Sequence, residues 1–222
     1  MHVQLTIKNY RCFPDAKPAR LTLSSGFTAI VGPNNSGKSS LLRFFYEFRG
    51  LFSGLAGLSG NLHDVIRGNQ GGFNYSPSIA DPSEVFCDTN DREVLIEFRF
   101  AGLRPTEEAV PLPSHVEVRI PRPGNNYIAS VFTASGKILQ NHETQLSGTT
   151  IIAPGNQRLD LAPLMEAAKH LSNALYIGPF RNMINIGTRA DYFDIQVGQA
   201  FVQSWRNYKT GAQRREISQP SK

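Results

Sequence analysis

The stretch TAIVGPNNSGKSSLLRFF, residues 28–45, contains the sequence pattern from which the fold of this chain is predicted. Residues 32–39 match G-x-x-x-x-G-K-[ST] at every position. The apolar run over residues 27–31 predicts a strand that leads into the glycines. After them, apolar residues recur at helical intervals and predict a helix: Leu41, Leu42, Phe44, Phe45 and Phe48. Strand, glycine loop and helix form the local order that a phosphate-binding loop requires.

The residue types in this loop suit the binding of a nucleoside triphosphate. Backbone N–H groups and the positive end of a helix can meet several phosphate charges without crowding them. Lys38 is predicted to reach the β and γ phosphates, and the Ser39 hydroxyl is predicted to be a ligand of Mg²⁺. The alternative is a glycine turn that happens to precede a helix. The predicted contacts with ATP in this segment are Gly32, Asn34, Asn35, Ser36, Gly37, Lys38, Ser39 and Ser40.

Outside the loop, the pattern predicts strands more often than helices. Alternating or β-branched runs predict a β-meander, and LAPLMEAAKHLSNA, residues 161–174, predicts an amphipathic helix. Residues 50–82 are rich in glycine and serine, so we interpret them as an irregular surface insertion with a helix near residues 62–67. The runs that predict strands are VQLTI, RLTL, REVLIEFRF, SHVEVRIPR, YIASVFTASGK, TTIIAP and ALYIGPF.

Residues 5–45, LTIKNYRCFPDAKPARLTLSSGFTAIVGPNNSGKSSLLRFF, carry a family resemblance. They resemble the N-terminus of the ABC-type AAA family ATPase heads in the RecF, SMC and OLD group. The resemblance implies an α/β fold: a P-loop NTPase lobe with a mixed β-sheet, an antiparallel β-meander and few helices, forming an incomplete ABC-type head. We expect this lobe over residues 1–200 and a basic tail over residues 201–222, either disordered or the start of a truncated region.

The same resemblance assigns two further features of the site. Arg11 matches an arginine that contacts the phosphates of the nucleotide, and a planar guanidinium suits phosphate oxygens. The alternative for Arg11 is an ordinary surface arginine. These heads also place a glutamine at the close of the first lobe. The corresponding stretch YIGPFRN, residues 176–182, has none, so Arg181 or Asn182 would have to replace it.

The acidic residues that hydrolysis requires are not recognisable in the sequence. A P-loop ATPase needs carboxylates at the end of an apolar strand, one for Mg²⁺ and one to orient the attacking water. Glu97 lies inside a strand-like run, and the LSG triplets at residues 58–60 and 146–148 are interpreted as turns rather than signature loops. GTPase base-reading motifs and a kinase lid are also not found. We therefore expect an N-terminal fragment or a split subunit whose hydrolysis requires a second lobe.

Two functions remain open at this point. The resemblance implies an ATP-binding lobe that serves DNA repair, recombination or antiphage defence, as a homodimer or with a second ATPase lobe or effector subunit. The alternative is a non-catalytic interaction subunit that uses nucleotide as an assembly switch. The N-terminus has no signal-peptide pattern and no run is long enough to span a bilayer, so we expect a cytoplasmic protein without a membrane partner.

The net charge of +5 is concentrated near the C-terminus. Five basic residues against one acidic residue in residues 203–222 give +4 of that total. A solvated terminus and a DNA-contacting arm both fit this charge. Trp205 and Tyr208 could stack on bases, although Trp205 equally fits an apolar anchor. The charged residues are Arg206, Lys209, Arg214, Arg215, Lys222 and Glu216.

Overall fold

The computed structural model describes residues 2–24, 29–58, 62–76, 79, 81–101, 110–122, 124–137, 142–177 and 192–193. The chain divides into two compact units, Met1–Ala174 and Leu175–Lys222. In the second unit, the described elements are two short strands, β11 (Tyr176–Ile177) and β12 (Tyr192–Phe193), which pair in parallel. The predicted boundary between residues 200 and 201 lies outside the described residues and stays a prediction.

A large antiparallel sheet forms the framework of the first unit. Its strands pair in the order β2-β1-β4-β5-β6-β3, with β7 paired to β6. A separate three-stranded sheet has the order β10-β9-β8. The bounds are β1 His2–Lys8, β2 Ala19–Leu23, β3 Gly71–Gly72, β4 Val94–Ala101, β5 His115–Ile120, β6 Asn126–Thr133, β7 Gly136–Lys137, β8 Gln145–Ser147, β9 Thr150–Ala153 and β10 Gln157–Asp160.

The strands alternate between an apolar face and a polar face, as the sequence pattern predicts. In β4, Val94, Ile96 and Phe98 are buried, whereas Arg99 is exposed and pairs with Glu97. In register, Ile96 lies between Ile7 of β1 and Val118 of β5, so buried side chains form rows across the sheet. These rows build one apolar face, which packs in a single core with the buried faces of the helices.

Four α-helices cover this core in the described part of the chain. They are α1 (Lys38–Glu47), α2 (Arg49–Leu55), α3 (Leu62–Ile66) and α4 (Ala162–Ser172), and a 3₁₀ helix spans Pro82–Val85. The amphipathic pattern of α4 is confirmed, since Leu161, Leu164 and Ala168 are buried. The α/β class with an antiparallel meander and few helices is also confirmed. Parallel pairing is described only between β11 and β12, so the large sheet is antiparallel where it is described.

Two expectations about local structure are wrong. Residues 50–82 are not an irregular surface insertion, because Leu51, Phe52 and Leu55 form the fully buried face of α2. The glycines obscured this helix in the sequence; Gly54 is itself buried within it. The strand expected over residues 27–31 is not formed at residues 29–31. A strand requires a neighbour for its backbone groups, and no described strand pairs with this segment.

Candidate functional site

The loop between residues 32 and 37 owes its shape to two left-handed backbone positions. Asn35 has φ 62° and Gly37 has φ 85°, a region that asparagine and glycine adopt most readily. Glycine is needed at residue 37 for a second reason. A Cβ atom there would lie 2.6 Å from the Phe13 ring and 2.8 Å from the Cys12 sulfur. The loop is therefore packed closely against the turn that contains Arg11.

The loop leads into a helix whose first-turn N–H groups have no partner among the described residues. Gly37 is the N-cap of α1 and provides no side-chain cap, and the first turn contains no acidic residue. Within the described part of the chain, no hydrogen bond is donated by the backbone N–H groups of residues 34–40. Residues 31–36 and Ser39 are exposed to solvent. Unpaired amides at the positive end of a helix are an anion-binding arrangement.

Lys38 folds back over this loop. Its ammonium group donates to the Gly32 carbonyl at 2.8 Å, to the Pro33 carbonyl and to the Ser36 hydroxyl at 3.4 Å. These three neutral oxygen atoms keep the positive charge of Lys38 against the backbone of the loop. Phosphate oxygens are stronger acceptors for an ammonium because they are charged, so a bound phosphate would compete well for Lys38. The structure thus brings Gly32, Ser36 and Lys38 into direct contact.

Arg11 lies in a strained turn at the end of β1. Its φ of 46° is unusual for a long side chain, and its backbone N–H donates to the Val85 carbonyl at 3.0 Å. Its guanidinium Nη2 donates to Glu47 at 2.6 Å and its Nε donates to the same carboxylate at 3.3 Å. The role predicted for Arg11 is phosphate contact, which stays a prediction, and the partner observed is Glu47.

Tyr10 completes this cluster from the interior. Its hydroxyl donates to Glu47 Oε2 at 2.6 Å and lies 3.1 Å from the backbone carbonyl of Ser40. Burial raises the pKa of Tyr10 well above its usual value, and the Glu47 carboxylate raises it further. Tyr10 therefore remains a protonated donor. Burial lowers the pKa of Arg11, but Tyr10 and Glu47 outweigh this effect and raise it, so Arg11 stays charged.

Sequence reasoning missed Glu47 and Tyr10. The sequence offers one signal for Glu47, which is the single acidic residue in LLRFFYEFRG, residues 41–50. It follows Phe44 by three residues, and this spacing places it on the buried face of α1. A charged residue at such a position needs a partner. Ser39 keeps its predicted Mg²⁺ role as a prediction, as do the contacts of Asn34, Asn35 and Ser40. Arg181 and Asn182 lie outside the described residues.

The other motifs weighed in the sequence take ordinary structural positions. Glu97 lies on the polar face of β4 and pairs with Arg99. The LSG triplet at residues 146–148 was expected to be a turn, but Leu146 and Ser147 lie in β8, and the turn before β9 is formed by Gly148 and Thr149. None of the helices in the described ranges has the length and apolar character needed to cross a bilayer.

Comparison with known proteins finds a match for the part of the chain that contains this site. Residues 1–98 match the family model of an AAA ATPase domain, a range that includes β1, the Arg11 turn, the loop and α1. No curated protein matches the chain. A solved chain from work on ATP-driven dimerization and DNA-stimulated activation of SMC ATPases is 16% identical, with 96% of this chain and 94% of that chain covered and a TM-score of 0.33. A similarity of that strength supports no functional argument by itself.

Proposed function

We propose that this chain, whose residues 1–98 match an AAA ATPase domain, is the ATP-binding lobe of an ABC-type ATPase. One observation carries the proposal. Among the described residues, the backbone N–H groups of residues 34–40 donate no hydrogen bond of normal geometry, and the Lys38 ammonium group lies on the Gly32 and Pro33 carbonyls and the Ser36 hydroxyl of the same loop. Unpaired donors and a positive charge at a helix start are complementary to a triphosphate.

The residues present fit magnesium-bound ATP. The loop amides would surround the phosphates, and Lys38 would exchange the Gly32 and Pro33 carbonyls for phosphate oxygens. Ser39 is exposed and directly follows Lys38, which suits a hydroxyl ligand of Mg²⁺. When bound, the metal would neutralise charge on the phosphates.

We further propose that hydrolysis requires a second lobe. In the described part of the chain, Glu47 is paired with Arg11 and Glu97 with Arg99, so both carboxylates are engaged away from a phosphate. Apolar residues beside the loop are exposed, with Val31 at 92% and Leu42 at 48% of their full exposure. The partner proposed is a second copy or a separate lobe, and these two exposed side chains are where its contact with the loop would be tested.

The biological role is proposed from the resemblance of residues 5–45 alone. On that basis, the proposed role is DNA repair, recombination or antiphage defence, in the cytoplasm. A DNA contact through the basic tail belongs to the same proposal. The alternative, an interaction subunit that uses nucleotide as an assembly switch, is favoured by the engaged carboxylates, because nucleotide binding alone needs neither of them.

Isothermal titration with ATP, with and without Mg²⁺, tests the binding step. We expect magnesium-dependent binding by the wild-type chain and a loss of about tenfold or more in Lys38→Ala, since a charge-assisted contact with phosphate is removed. Lys169→Ala removes an exposed lysine from α4 and is the matched control, which should bind normally. Equal affinity in all three proteins would contradict the proposal.

Phosphate release distinguishes the two functions. An ATPase lobe should release phosphate only after a second lobe is added, whereas an assembly switch should change its oligomeric state with nucleotide and release none. Light scattering and a phosphate assay on the same samples separate these outcomes.

A further inference from the structure

The strand β2 forms one edge of the large sheet. It pairs with β1 over all five of its residues, Ala19–Leu23, and no described strand pairs with its other side. An edge strand presents backbone N–H and C=O groups that can pair with another strand. The features that usually block such pairing are missing from β2, since its register with β1 contains no bulge and no proline lies within it. In the described part of the chain, this edge is therefore open to strand addition.

The apolar face of the sheet continues as far as β2 but is not covered there. Leu21 and Leu23 lie opposite Leu5 and Val3 of β1 in register. The two β1 side chains are buried, whereas the two leucines of β2 are only half-buried. A further strand at this edge would cover both leucines and remove apolar surface from water.

An apolar pocket of about 440 Å³ lies on the same side of the sheet, at the end of β2. On the sheet side it is lined by Val3 and Leu23, and on the helix side by Ala167 and Leu171 of α4. Glu166, also on α4, adds a carboxylate to this lining. The pocket therefore suits an added segment that presents an apolar chain together with a positive charge.

The sequence of β2 is complementary to itself in an antiparallel pairing centred on Leu21. In that register Leu21 lies opposite Leu21 of a second copy, and Arg20 lies opposite Thr22. A two-fold axis through this point repeats each contact. Like charges do not meet, and the apolar side chains of both strands fall on the core side of one continuous sheet. A second copy of the chain thus meets the requirements of this edge.

The same register gives Glu166 a partner of opposite charge. Ala19 of the second copy lies opposite Leu23, so Lys17 of that copy, two residues earlier, would lie at the pocket. Lys17 and Glu166 are both exposed, and neither forms an ion pair among the described residues. The apolar stem of a lysine can cover apolar surface while its ammonium group reaches a carboxylate. The second copy is therefore complementary to the pocket in charge and in apolar surface.

We propose that β2 pairs with β2 of a second copy across a two-fold axis, which joins two large sheets edge to edge and seats Lys17 of each copy at the pocket of the other. No residue of the phosphate-binding loop takes part, so this dimer forms without nucleotide and is independent of the proposed function. Two strands of five residues make a small contact, and we expect a reversible dimer at about 100 μM.

Sedimentation equilibrium of the full chain without nucleotide tests this pairing. The wild type should show a monomer–dimer equilibrium. Thr22→Arg places an arginine opposite Arg20 at two symmetric positions and should weaken dimerisation about tenfold. Thr22→Glu places a carboxylate opposite Arg20 and should strengthen dimerisation by a similar factor. The double variant Arg20→Glu, Thr22→Arg reverses the charges of that pair and should dimerise at least as well as the wild type.

The pocket contact has its own charge reversal. Glu166→Lys should weaken dimerisation about threefold or more, and the addition of Lys17→Glu to the same chain should restore it. Gln145→Arg is the matched control, because Gln145 is an exposed polar residue on β8, which is the edge strand of the other sheet. This control should dimerise like the wild type.

The outcomes separate this proposal from the proposed function. A wild-type chain that stays monomeric at every soluble concentration, or that dimerises only with Mg-ATP, would overturn the pairing. Equal dissociation constants for Thr22→Arg and Thr22→Glu would overturn it as well. Thermal unfolding checks that each variant folds, and if Thr22→Arg does not, Thr22→Glu and the Glu166 pair decide by the same criteria. A dimer with these responses that binds no ATP would overturn the proposed function alone.

Discussion

At the scale of single residues, two constraints exclude a Cβ atom at residue 37, one from the backbone conformation and one from packing. Its φ of 85° is strained for any residue with a Cβ, and that Cβ would overlap the Phe13 ring. The two effects add, because relief of the overlap would require the loop or the Arg11 turn to move. Gly37 therefore connects loop shape to the position of Arg11.

Gly37→Ala should lower the free energy of unfolding by about 2 kcal/mol or more, measured by urea denaturation. Gly148→Ala is the control, because Gly148 has φ 60° and nothing within 4 Å of a Cβ. This control should lose only about 1 kcal/mol, the cost of the backbone strain alone. Equal losses in the two variants would show that the contact with Phe13 is unimportant.

Tyr127 is a fully buried tyrosine on β6 whose hydroxyl has no hydrogen-bond partner in the described part of the chain. Tyr127→Phe should raise the free energy of unfolding by about 1 kcal/mol at neutral pH, because the buried unpaired group is removed. Tyr75→Phe is the control, since the Tyr75 hydroxyl donates to the Gly124 carbonyl at 3.2 Å. That variant should be less stable than the wild type, and stabilisation of both variants would contradict the account.

The same residue gives a pH dependence with a defined sign. Burial raises the pKa of Tyr127 from 10.0 to about 12. The unfolded chain ionises first, so the stability contributed by the neutral form is present below pH 10 and is lost as the pH rises to about 12. Denaturation curves across this range should fall less steeply for Tyr127→Phe than for the wild type. Parallel curves would exclude this effect.

At the scale of secondary-structure elements, α1 joins the loop to the core through its aromatic face. Phe44 is fully buried and makes edge-on ring contacts with Tyr10, Phe45 and Phe52. The helix that provides the loop amides is thus fixed by the same aromatic cluster that holds Tyr10 over Glu47.

Phe44→Ala should lower the free energy of unfolding by about 3–5 kcal/mol, the range for removal of a buried aromatic side chain. Leu42→Ala is the matched control, because the Leu42 side chain on the same helix is 48% exposed. This substitution should lower the free energy of unfolding by less than about 1 kcal/mol. Chemical denaturation of both variants measures the difference. A small loss for Phe44→Ala would show that α1 is not fixed through this face.

Periodicity in the sequence is sufficient for the elements whose residues alternate or recur regularly, which are the strands of the meander and the helices α1 and α4. The helix α2 escapes this pattern because Gly50 and Gly54 within it indicate a loop. Apolar character alone predicts a strand at residues 27–31, and it cannot show whether a neighbouring strand is present. The pairing of Arg11 with Glu47 joins residues 36 positions apart, a contact that no local pattern encodes.

At the scale of the whole molecule, nucleotide binding and nucleotide hydrolysis are expected to depend on different parts of the ATPase. The N-terminal 98 residues match an AAA ATPase domain, while the carboxylates described near the sheet and α1 are engaged by arginines. Sustained phosphate release by the chain alone is therefore not expected. A steady-state phosphate assay with Mg-ATP checks this. Turnover by the chain alone that disappears in Lys38→Ala would contradict the proposed need for a second lobe.

The most direct measurement of the central claim is a nitrogen-15 NMR titration of the labelled chain with Mg-ATP. The largest shift changes are expected at the backbone amides of residues 34–40, with the Arg11 guanidinium also affected. AMP, which lacks the β and γ phosphates, should produce much smaller changes there. If those amides do not respond to Mg-ATP at millimolar concentration, or respond no more than amides elsewhere in the chain, the loop does not bind a triphosphate and the account is contradicted.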